Sequence, residues 1–248
     1  MPLDRPCLVG HRGAAALAPE NTLDSFRLAW ERGVRTMELD VQLTRDRVVV
    51  CLHDDRLDRV TAELGRVDER DWVTLRELTV CPGAFHNGFP HARIPTLAAV
   101  LTELDPACRL VVELKRSRTG ADLVRETLRV IREAGAGPRC RLISFEPDLL
   151  RLAREALPHP EDADSPGLGV LVGAADCAHL LPRAKEFGAV ALHAHHWLVN
   201  SILCKQARAA GYLLNAWTVN DRSRAEALAD LGVHEITTDH PDLLGPGR

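Results

Sequence analysis

The sequence has few of the features that mark nucleic-acid-binding, zinc-binding or disulfide-bonded proteins. Its net charge is -4 and it has no long basic run, which argues against a track for nucleic-acid phosphates. The seven cysteines are scattered and none form a Cys-x-x-Cys motif, so we expect neither a zinc site nor a disulfide framework. Lysine is also scarce: only three of the 31 lysine and arginine residues are lysines, namely Lys115, Lys185 and Lys205. A lysine that ends an apolar segment is therefore a candidate functional residue.

Long apolar segments are absent as well. No apolar run is long enough to span a bilayer, and the first residues lack the charged and apolar stretches of a secretory signal. We therefore expect no stable membrane insertion and a cytoplasmic location. The partner expected is a small-molecule substrate rather than a nucleic acid, and the sequence does not indicate an oligomeric state.

Short apolar segments alternate with helical patterns along most of the chain, which is typical of a parallel sheet covered by helices. Only residues 44–47 separate the second and third apolar segments, and so short a connection can join only antiparallel strands. The other eight strands then suit an α/β fold of the (β/α)8 TIM-barrel type, whose usual size is about 250 residues. A doubly wound open sheet is the alternative, weakened because no Gly-x-Gly-x-x-Gly turn follows the first strand. The predicted strands lie near 7–10, 36–43, 47–52, 109–114, 140–145, 168–172, 189–193, 213–218 and 235–238, and the clearest helical patterns at 22–32, 121–134, 147–156, 200–210 and 222–231.

We expect residues 1–248 to form a single catalytic barrel domain. The segment 54–95 breaks the alternation of strands and helices with several prolines and glycines. It directly follows the hairpin formed by the second and third strands. We therefore predict a small insertion at 54–95, packed over one end of the barrel.

Three carboxylates are candidates for metal binding. Glu38 and Asp40 lie two residues apart in a strand, so both are on its polar face while the apolar face packs on helices. Burying two carboxylates so close together is costly unless a cation compensates them. Glu113 near the end of the strand 109–114 adds a third, and an all-oxygen set suits Mg²⁺ or Ca²⁺. We expect these three residues to hold one divalent metal ion.

The hairpin is expected to bring a histidine beside these carboxylates. A two-residue turn at 45–46 pairs Leu43 with Val48 and, by counting along both strands, His53 with Glu38. Directly opposed residues of an antiparallel pair have Cβ atoms about 4.5–5.5 Å apart. This register predicts that His53 shares a face with the carboxylates.

Further candidate residues end the same strands. His11 and Arg12 follow the first strand and Lys115 follows Glu113, at the carboxyl ends where barrel enzymes carry their active sites. An arginine can hold a phosphate through two bonds and a lysine as a point charge, while His11 and His53 are candidate proton carriers. Each residue alone has an ordinary structural explanation, and Glu113 and Lys115 could simply pair with each other. Their joint position at strand ends favours metal-assisted cleavage of a phosphate diester.

These motifs resemble the glycerophosphodiester phosphodiesterase family. The matching segments, in the order of that family, are His11-Arg12-Gly13, Pro19-Glu20-Asn21-Thr22, Glu38-x-Asp40-Val41-x-x-Thr44, His53-Asp54, Glu113-x-Lys115, Ser144-Phe145, Trp217-Thr218-Val219-Asn220 and Thr237-Thr238-Asp239-x-Pro241. The resemblance spans nearly the whole chain and implies a TIM-type barrel with a small insertion after the hairpin. It implies four roles: an acid–base pair of His11 and His53, ligands of Mg²⁺ or Ca²⁺ in Glu38, Asp40 and Glu113, phosphate contacts from Arg12 and Lys115, and a glycerol side lined by Phe145 and Trp217.

Two other segments allow more than one interpretation. His193 ends an apolar strand and is predicted to reach the pocket as a substrate-binding residue, whereas His195 and His196 are expected in a loop or at a helix start. The segment 20–22 precedes an apolar helix, so it either caps that helix or contacts substrate.

The resulting hypothesis is an enzyme, a metal-dependent phosphodiesterase of lipid or glycerol metabolism. It would hydrolyse glycerophosphodiesters to sn-glycerol 3-phosphate and an alcohol by two-histidine acid–base catalysis. The nucleophile is either water or a neighbouring hydroxyl of the substrate acting through a cyclic phosphate. The alternatives are a lysophospholipase D-like or other lipid phosphodiesterase on the same barrel, a non-catalytic phosphate-binding module, and a metal-dependent sugar isomerase. An apolar rim at the barrel mouth would favour the lipid enzyme, but Phe85, Phe89 and Leu198 are too few to indicate one.

Overall fold

The computed structural model describes residues 5–80, 88–157, 164–173 and 178–244. Within these ranges strands and helices alternate, as the sequence predicts, and no helix is both long and apolar enough to cross a membrane. The strands are β1 (Cys7–Gly10), β2 (Thr36–Leu43), β3 (Val49–Cys51), β4 (Arg109–Leu114), β5 (Cys140–Ser144), β6 (Gly167–Val172), β7 (Ala191–His195), β8 (Leu213–Trp217) and β9 (Glu235–Thr238). The helices are α1 (Leu23–Glu31), α2 (Trp72–Leu75), α3 (Leu97–Glu103), α4 (Gly120–Glu133), α5 (Pro147–Ala156), α6 (Leu180–Glu186), α7 (Ser201–Ala209), α8 (Arg222–Leu231) and α9 (Pro241–Leu244).

Eight parallel strands close into a barrel. β1 pairs in parallel with β9 on one side and with β2 on the other, so that Val9 lies opposite both Thr237 and Thr36. The other strands are neighbours in the order β2, β4, β5, β6, β7, β8 and β9. This closure confirms the TIM-type barrel and excludes the open sheet, whose outer strands would not pair with each other. All eight carboxyl ends therefore lie at one face, where barrel enzymes carry their active sites.

The hairpin between β2 and β3 is present, but its predicted register is wrong by one residue. Leu43 pairs with Val49 rather than with Val48. The loop has three residues instead of two, because the Thr44 N–H donates to the Val48 carbonyl at 3.0 Å and Arg47 adopts φ 67°. A residue in the left-handed region is the usual last position of a three-residue hairpin loop.

This shift changes which residues face the carboxylates. The Leu52 N–H donates to the Asp40 carbonyl at 3.0 Å, so Leu52 lies opposite Asp40, where the predicted register would put Cys51. The expectation that His53 lies opposite Glu38 in the ladder is therefore wrong. β3 ends before His53, and a bend in the chain carries this histidine to the barrel mouth instead.

The barrel interior is layered along the strand direction. At the amino ends of the strands, Arg141 Nη2 donates to both carboxylate oxygens of Glu235 at 3.0 and 2.7 Å. The next layer is apolar and consists of Val9, Val111, Ile143 and Leu171, with Trp217 packed against it. The polar residues that end the strands consequently pack against this apolar layer, which shields them from water on that side.

The chain after β3 packs around a second hydrophobic cluster, separate from the core between strands and helices. Val50 and Leu52 of the hairpin contribute to it, so the hairpin joins this segment to the barrel. The guanidinium of Arg45 also forms an ion pair with Asp71. Residues 81–87 of the predicted insertion at 54–95 lie outside the described residues. The other members of the cluster are Leu57, Val60, Val67, Leu75, Val80, Ala92 and Ile94.

Candidate active site

A glycine shapes the turn after β1 and fixes the first two site residues. Arg12 and Gly13 have φ angles of 50° and 88°, and a Cβ at Gly13 would lie 2.4 Å from Ser25 Oγ. The Ser25 hydroxyl donates to the Arg12 carbonyl and accepts from the Ala14 N–H, each at 2.8 Å. Only glycine combines this backbone with so close an approach to Ser25. The hydrogen bonds of Ser25 then hold the turn, and with it His11 and Arg12, at the barrel mouth.

The three predicted carboxylates meet at the mouth. Asp40 of β2 and Glu113 of β4 are paired in the parallel ladder, and Glu38 lies two residues before Asp40 on the same face. One oxygen from each carboxylate lies within 4.8 Å of the others. The exposed fractions of Glu38, Asp40 and Glu113 are only 4%, 1% and 7%. The structure therefore forms the buried acidic cluster that the sequence predicts.

Two cations contact this cluster. Arg12 Nε lies 3.1 Å from Asp40 Oδ2, and the Arg12 backbone N–H donates to Glu38 Oε2 at 3.0 Å. Lys115 Nζ lies 2.7 Å from Glu113 Oε1 and 3.4 Å from Asp40 Oδ1. Glu113 and Lys115 thus do pair with each other, and Arg12 and Lys115 both line a cavity.

Burial and mutual repulsion determine how the carboxylates hold protons. Burial, with repulsion from Asp40, raises the pKa of Glu38 to about 7 and that of Glu113 to about 8. Burial acts in the same direction on Asp40, but Arg12 and Lys115 outweigh it and lower the pKa of Asp40 to about 2. Full ionisation of all three carboxylates therefore requires more positive charge than the two cations supply.

The donor set fits a hard divalent cation. Asp40 Oδ1 is buried without a hydrogen-bond partner among the described residues, although Lys115 Nζ lies 3.4 Å away. Carboxylate oxygens are the ligands that Mg²⁺ and Ca²⁺ prefer. Such an ion would bind the unpartnered oxygen of Asp40. Its charge would also favour ionisation of the two neighbouring carboxylates.

We expect the protein, when freed of divalent cations, to lose stability as the pH rises from about 6 to about 9. The pKa values of Glu38 and Glu113 are raised in the folded state, to about 7 and about 8. Folding therefore retains protons that the unfolded chain has already released at these pH values. This contribution is present at low pH and is lost as the pH rises through the folded-state values. Thermal unfolding in the presence of chelator measures the effect.

The matched control for this pH dependence is the double variant Glu38→Gln, Glu113→Gln. Neither amide titrates, so its stability should fall less than that of the parent over the same interval. A parent protein whose stability stayed constant or rose between about pH 6 and about pH 9 would contradict the raised pKa values.

Each predicted catalytic histidine is oriented by its own carboxylate. His11 Nδ1 lies 2.6 Å from Asp239 Oδ1, and His53 Nδ1 lies 2.6 Å from Asp54 Oδ1. In both rings the carboxylate thus engages Nδ1 and not Nε2, and Nε2 of His11 lies 3.9 Å from Glu38 Oε2. Burial lowers the pKa of His11, but Asp239 and Glu38 more than offset this and raise it overall. Burial is the main reason that the pKa of His53 is lowered.

An aromatic pair forms one wall of the inner cavity. The rings of Phe145 and Trp217 meet edge to face, with centroids 5.4 Å apart and an interplanar angle of 81°. They border a cavity of about 180 Å³ that His193 and both catalytic candidates also line. His193 Nε2 and Trp217 Nε1 are buried without a hydrogen-bond partner in the described part of the chain. Such polar atoms favour a ligand that carries hydroxyl groups.

The motif residues 20–22 make different contacts, and two of them, Thr22 and Asn21, have clear structural roles. The Thr22 hydroxyl caps α1 by accepting from the Ser25 N–H at 3.2 Å. Asn21 Nδ2 donates to Asp40 Oδ2 at 2.8 Å, and Asn21 Oδ1 accepts from the Asp40 N–H at 3.1 Å. Capping is therefore correct for Thr22, while Asn21 orients a carboxylate of the cluster.

Glu20 and Arg59 form a link between the two halves of the site that the sequence did not reveal. Glu20 accepts from Arg59 Nη1 and Nη2 at 2.8 and 2.7 Å and from Arg12 Nη1 at 2.9 Å. Arg59 Nε donates to Asp54 Oδ2, and the other oxygen of Asp54 faces His53. One chain of charged groups therefore runs from His53 to Arg12. Arg59 had no sequence signal, because it is one of several arginines in a segment without regular periodicity.

We expect Arg59→Ala to lower kcat by roughly 10- to 100-fold, the usual cost of losing an outer group that orients site residues. Removal of the guanidinium leaves Asp54 with only His53, and Glu20 with only Arg12, to fix its orientation. The control is Arg129→Ala on α4, since Arg129 also pairs with two carboxylates and its side chain is 44% exposed, against 46% for Arg59. Steady-state kinetics of both variants test this; equal, small effects would contradict the orienting role.

Comparison with known proteins agrees with this geometry. Residues 11–243 match the glycerophosphoryl diester phosphodiesterase family. The chain is 32% identical over 243 residues to the Bacillus subtilis protein YhdW, covering 96% of each. It is 31% identical over 241 residues to the glycerophosphodiester phosphodiesterase of Caldanaerobacter subterraneus, covering 96% of this chain and 95% of that protein.

A solved structure is similar over nearly the whole chain. It is an Oleispira antarctica phosphodiesterase in complex with its product sn-glycerol-3-phosphate, with a TM-score of 0.86, 27% identity and coverage of 97% of this chain and 95% of that one. These matches confirm the resemblance read from the motifs and the prediction that the protein is an enzyme, a phosphodiesterase on a TIM-type barrel. The chain belongs to the glycerophosphoryl diester phosphodiesterase family.

Proposed function

We propose that this protein hydrolyses glycerophosphodiesters to sn-glycerol 3-phosphate and an alcohol in a metal-dependent reaction. The observation that carries the proposal is the convergence of three buried carboxylates within 4.8 Å, next to two histidines that each have a carboxylate partner. Glu38, Asp40 and Glu113 would hold one Mg²⁺ or Ca²⁺. When bound, such an ion supplies positive charge that stabilises the phosphoryl oxygens as the bond breaks.

The two histidines have the arrangement needed for opposite proton transfers. Each Nδ1 is engaged by a carboxylate, Asp239 for His11 and Asp54 for His53, so each Nε2 can take up or release a proton at the substrate. We propose that one deprotonates the nucleophile and the other protonates the departing alcohol. The carboxylate partners fix the ring orientation and stabilise the imidazolium as it forms.

The phosphate and the glycerol have separate contacts in this proposal. Arg12 and Lys115 border the cavity with their cationic groups and would bind phosphoryl oxygens. Phe145 and Trp217 would pack on the glycerol carbons, and the unpartnered nitrogen of His193 would bind a glycerol hydroxyl. The cavity of about 180 Å³ limits this side to a small substituent.

Lys115→Met is expected to reduce kcat/KM by about 2–4 kcal/mol of transition-state stabilisation, on the scale of losing one preorganised donor. Methionine keeps most of the bulk of the side chain and removes its charge. Because Lys115 Nζ also contacts Glu113 and Asp40, its loss should leave metal affinity unchanged or increase it. A variant with near-normal kcat/KM at saturating metal would show that Lys115 serves only as a counter-charge.

Product release from a set of substrates tests the proposed function. The set should contain glycerophosphodiesters with different alcohols, the matching lysophospholipids and a phosphate monoester, each with excess divalent cation. We expect sn-glycerol 3-phosphate from the glycerophosphodiesters and little turnover of the monoester. Absence of sn-glycerol 3-phosphate from every glycerophosphodiester would contradict the proposal.

One observation favours a second candidate, a phosphodiesterase that acts on lysophospholipids. The ring of Trp197 is stacked on His196, and a series of ring contacts leads through His195 to Trp217 and Phe145. Trp197 is 72% exposed and Phe145 is 39% exposed, so a rim of aromatic and imidazole rings extends from the cavity to the surface. If this rim binds acyl chains, Trp197→Ala should lower kcat/KM for lysophosphatidylcholine more than for glycerophosphocholine.

We also propose that residues 1–248 are one catalytic domain with 54–95 as an insertion that completes the site. The segment supplies Arg59 and Asp54, and its hydrophobic cluster includes Val50 and Leu52 of the hairpin. The shared cluster supports a single cooperative unit. One calorimetric unfolding transition is expected, and two separable transitions would contradict it.

A further inference from the structure

A large groove adjoins the inner cavity, and neither ring of the aromatic pair lines it. Its volume is about 670 Å³, and it is bounded by the segment after β3 on one side and by the loop after β4 on the other. His53 and Lys115 line both this groove and the inner cavity. A phosphodiester bound between the two cavities therefore directs one substituent into the inner cavity and the other into the groove.

The acidic groups that line this groove are already neutralised. Each of its three carboxylates lies on the wall formed by the segment after β3, and each is held by an arginine of the same wall. The pairs are Asp54 with Arg59, Asp55 with Arg66, and Asp58 with Arg56. This wall consequently presents little net charge to a bound substituent.

The opposite wall carries positive charge that carboxylates hardly compensate. The side chain of Arg116 is 86% exposed and its nearest carboxylate, that of Glu146, is 3.7 Å away. The side chain of Arg118 is 67% exposed, with Glu69 at 3.6 Å. Both distances exceed those of hydrogen bonds, and neither guanidinium has a hydrogen bond within the described residues. Both arginines can therefore turn toward an anion in the groove.

We propose that this groove is the leaving-alcohol subsite and that Arg116 and Arg118 select substrates whose alcohol carries a negative charge. The inference rests on the proposed function, because it needs a phosphodiester whose glycerol occupies the inner cavity. The substrate class is a glycerophosphodiester of an alcohol that bears a carboxylate or a further phosphate. A cationic alcohol is disfavoured by the same two charges.

The test compares three substrates that differ only in the end group of the leaving alcohol. They are the sn-glycerol 3-phosphate esters of 3-hydroxypropanoate, 1,3-propanediol and 3-aminopropan-1-ol, which end in a carboxylate, a hydroxyl and an ammonium group. The measured quantity is the ratio of kcat/KM for the anionic substrate to that for the neutral one. In the double variant Arg116→Gln, Arg118→Gln we expect this ratio to fall about three- to tenfold, the size expected for two exposed ion pairs.

The anionic-to-neutral ratio of kcat/KM is compared between the parent and the variant. The difference in intrinsic reactivity of the two alcohols is the same in both proteins and therefore cancels. The control is the double variant Arg32→Gln, Arg208→Gln, which removes two exposed arginines near the ends of α1 and α7, at the opposite face of the barrel. Its ratio should equal that of the parent. Added salt should also reduce the parent ratio, since exposed charges are screened.

The possible failures are distinguishable. If the parent releases sn-glycerol 3-phosphate from all three substrates and the ratio is the same in the parent, the groove variant and the control, the subsite is rejected while the proposed function stands. If no substrate yields sn-glycerol 3-phosphate, the proposed function itself is rejected. A ratio that falls only in the groove variant supports the assignment.

Discussion

Exhaustive chelation is expected to abolish turnover of glycerophosphodiesters and to lower the melting temperature. Glu38, Asp40 and Glu113 are buried together, and the two neighbouring cations do not balance three ionised carboxylates. A ligand that binds only the folded state at 100 times its Kd stabilises it by about 2.7 kcal/mol. For a chain of this size that corresponds to a fall of about 5–10 °C when the ion is removed. Activity and thermal unfolding, measured before and after chelation, check both effects.

Restoration distinguishes metal loss from damage by the chelator. Added Mg²⁺ or Ca²⁺ should return both activity and melting temperature in the parent. In the variant Asp40→Asn the same addition should return neither, because the central ligand has lost its charge. Full activity after chelation, with metal analysis showing none bound, would contradict metal-dependent hydrolysis.

Replacement of His11 or His53, the proposed acid–base pair, by alanine is expected to lower kcat by roughly 10²- to 10⁴-fold, the usual loss when a general acid or base is removed. His11 and His53 are held by different carboxylates, Asp239 and Asp54. The two variants should therefore respond differently to the substrate. A substrate with a strongly activated leaving group needs no protonation of the departing oxygen, so it should rescue only the variant that lacks the general acid.

The control for this experiment is His91→Ala, because His91 is exposed and lies outside the cavity residues. It should keep parental kinetics with every substrate. Equal responses of His11→Ala and His53→Ala to the leaving group would show that the two histidines do not divide the proton transfers between them.

The barrel and the inner part of the site were predictable from the sequence for a simple reason. Each strand is a short apolar segment, and the polar residues that end it stand out against the apolar background. Because parallel strands of a closed barrel end at one face, Glu38, Asp40, Glu113 and Lys115 had to be neighbours. Their contacts in the structure, such as 2.7 Å from Lys115 Nζ to Glu113 Oε1, follow from that arrangement.

Features that depend on loop conformation were not predictable. The predicted register of the hairpin was wrong because Arg47 adopts a left-handed backbone conformation. Glycine is the usual signal for this conformation, and the sequence has none at that position. The link through Glu20 and Arg59 joins two loops that are 39 residues apart in the chain. No periodicity relates such residues, and only the folded chain shows that Glu20 serves Arg12 and Arg59 together.

Metal stoichiometry shows whether the three carboxylates hold one divalent ion beside the two histidines. Calorimetric titration of Mg²⁺ or Ca²⁺ into chelator-treated protein should give one site per chain, with tighter binding at higher pH as Glu38 and Glu113 lose their protons. The triple variant Glu38→Gln, Asp40→Asn, Glu113→Gln should bind no ion and should release no sn-glycerol 3-phosphate. Undiminished binding in that variant, or hydrolysis by the metal-free parent, would contradict the account.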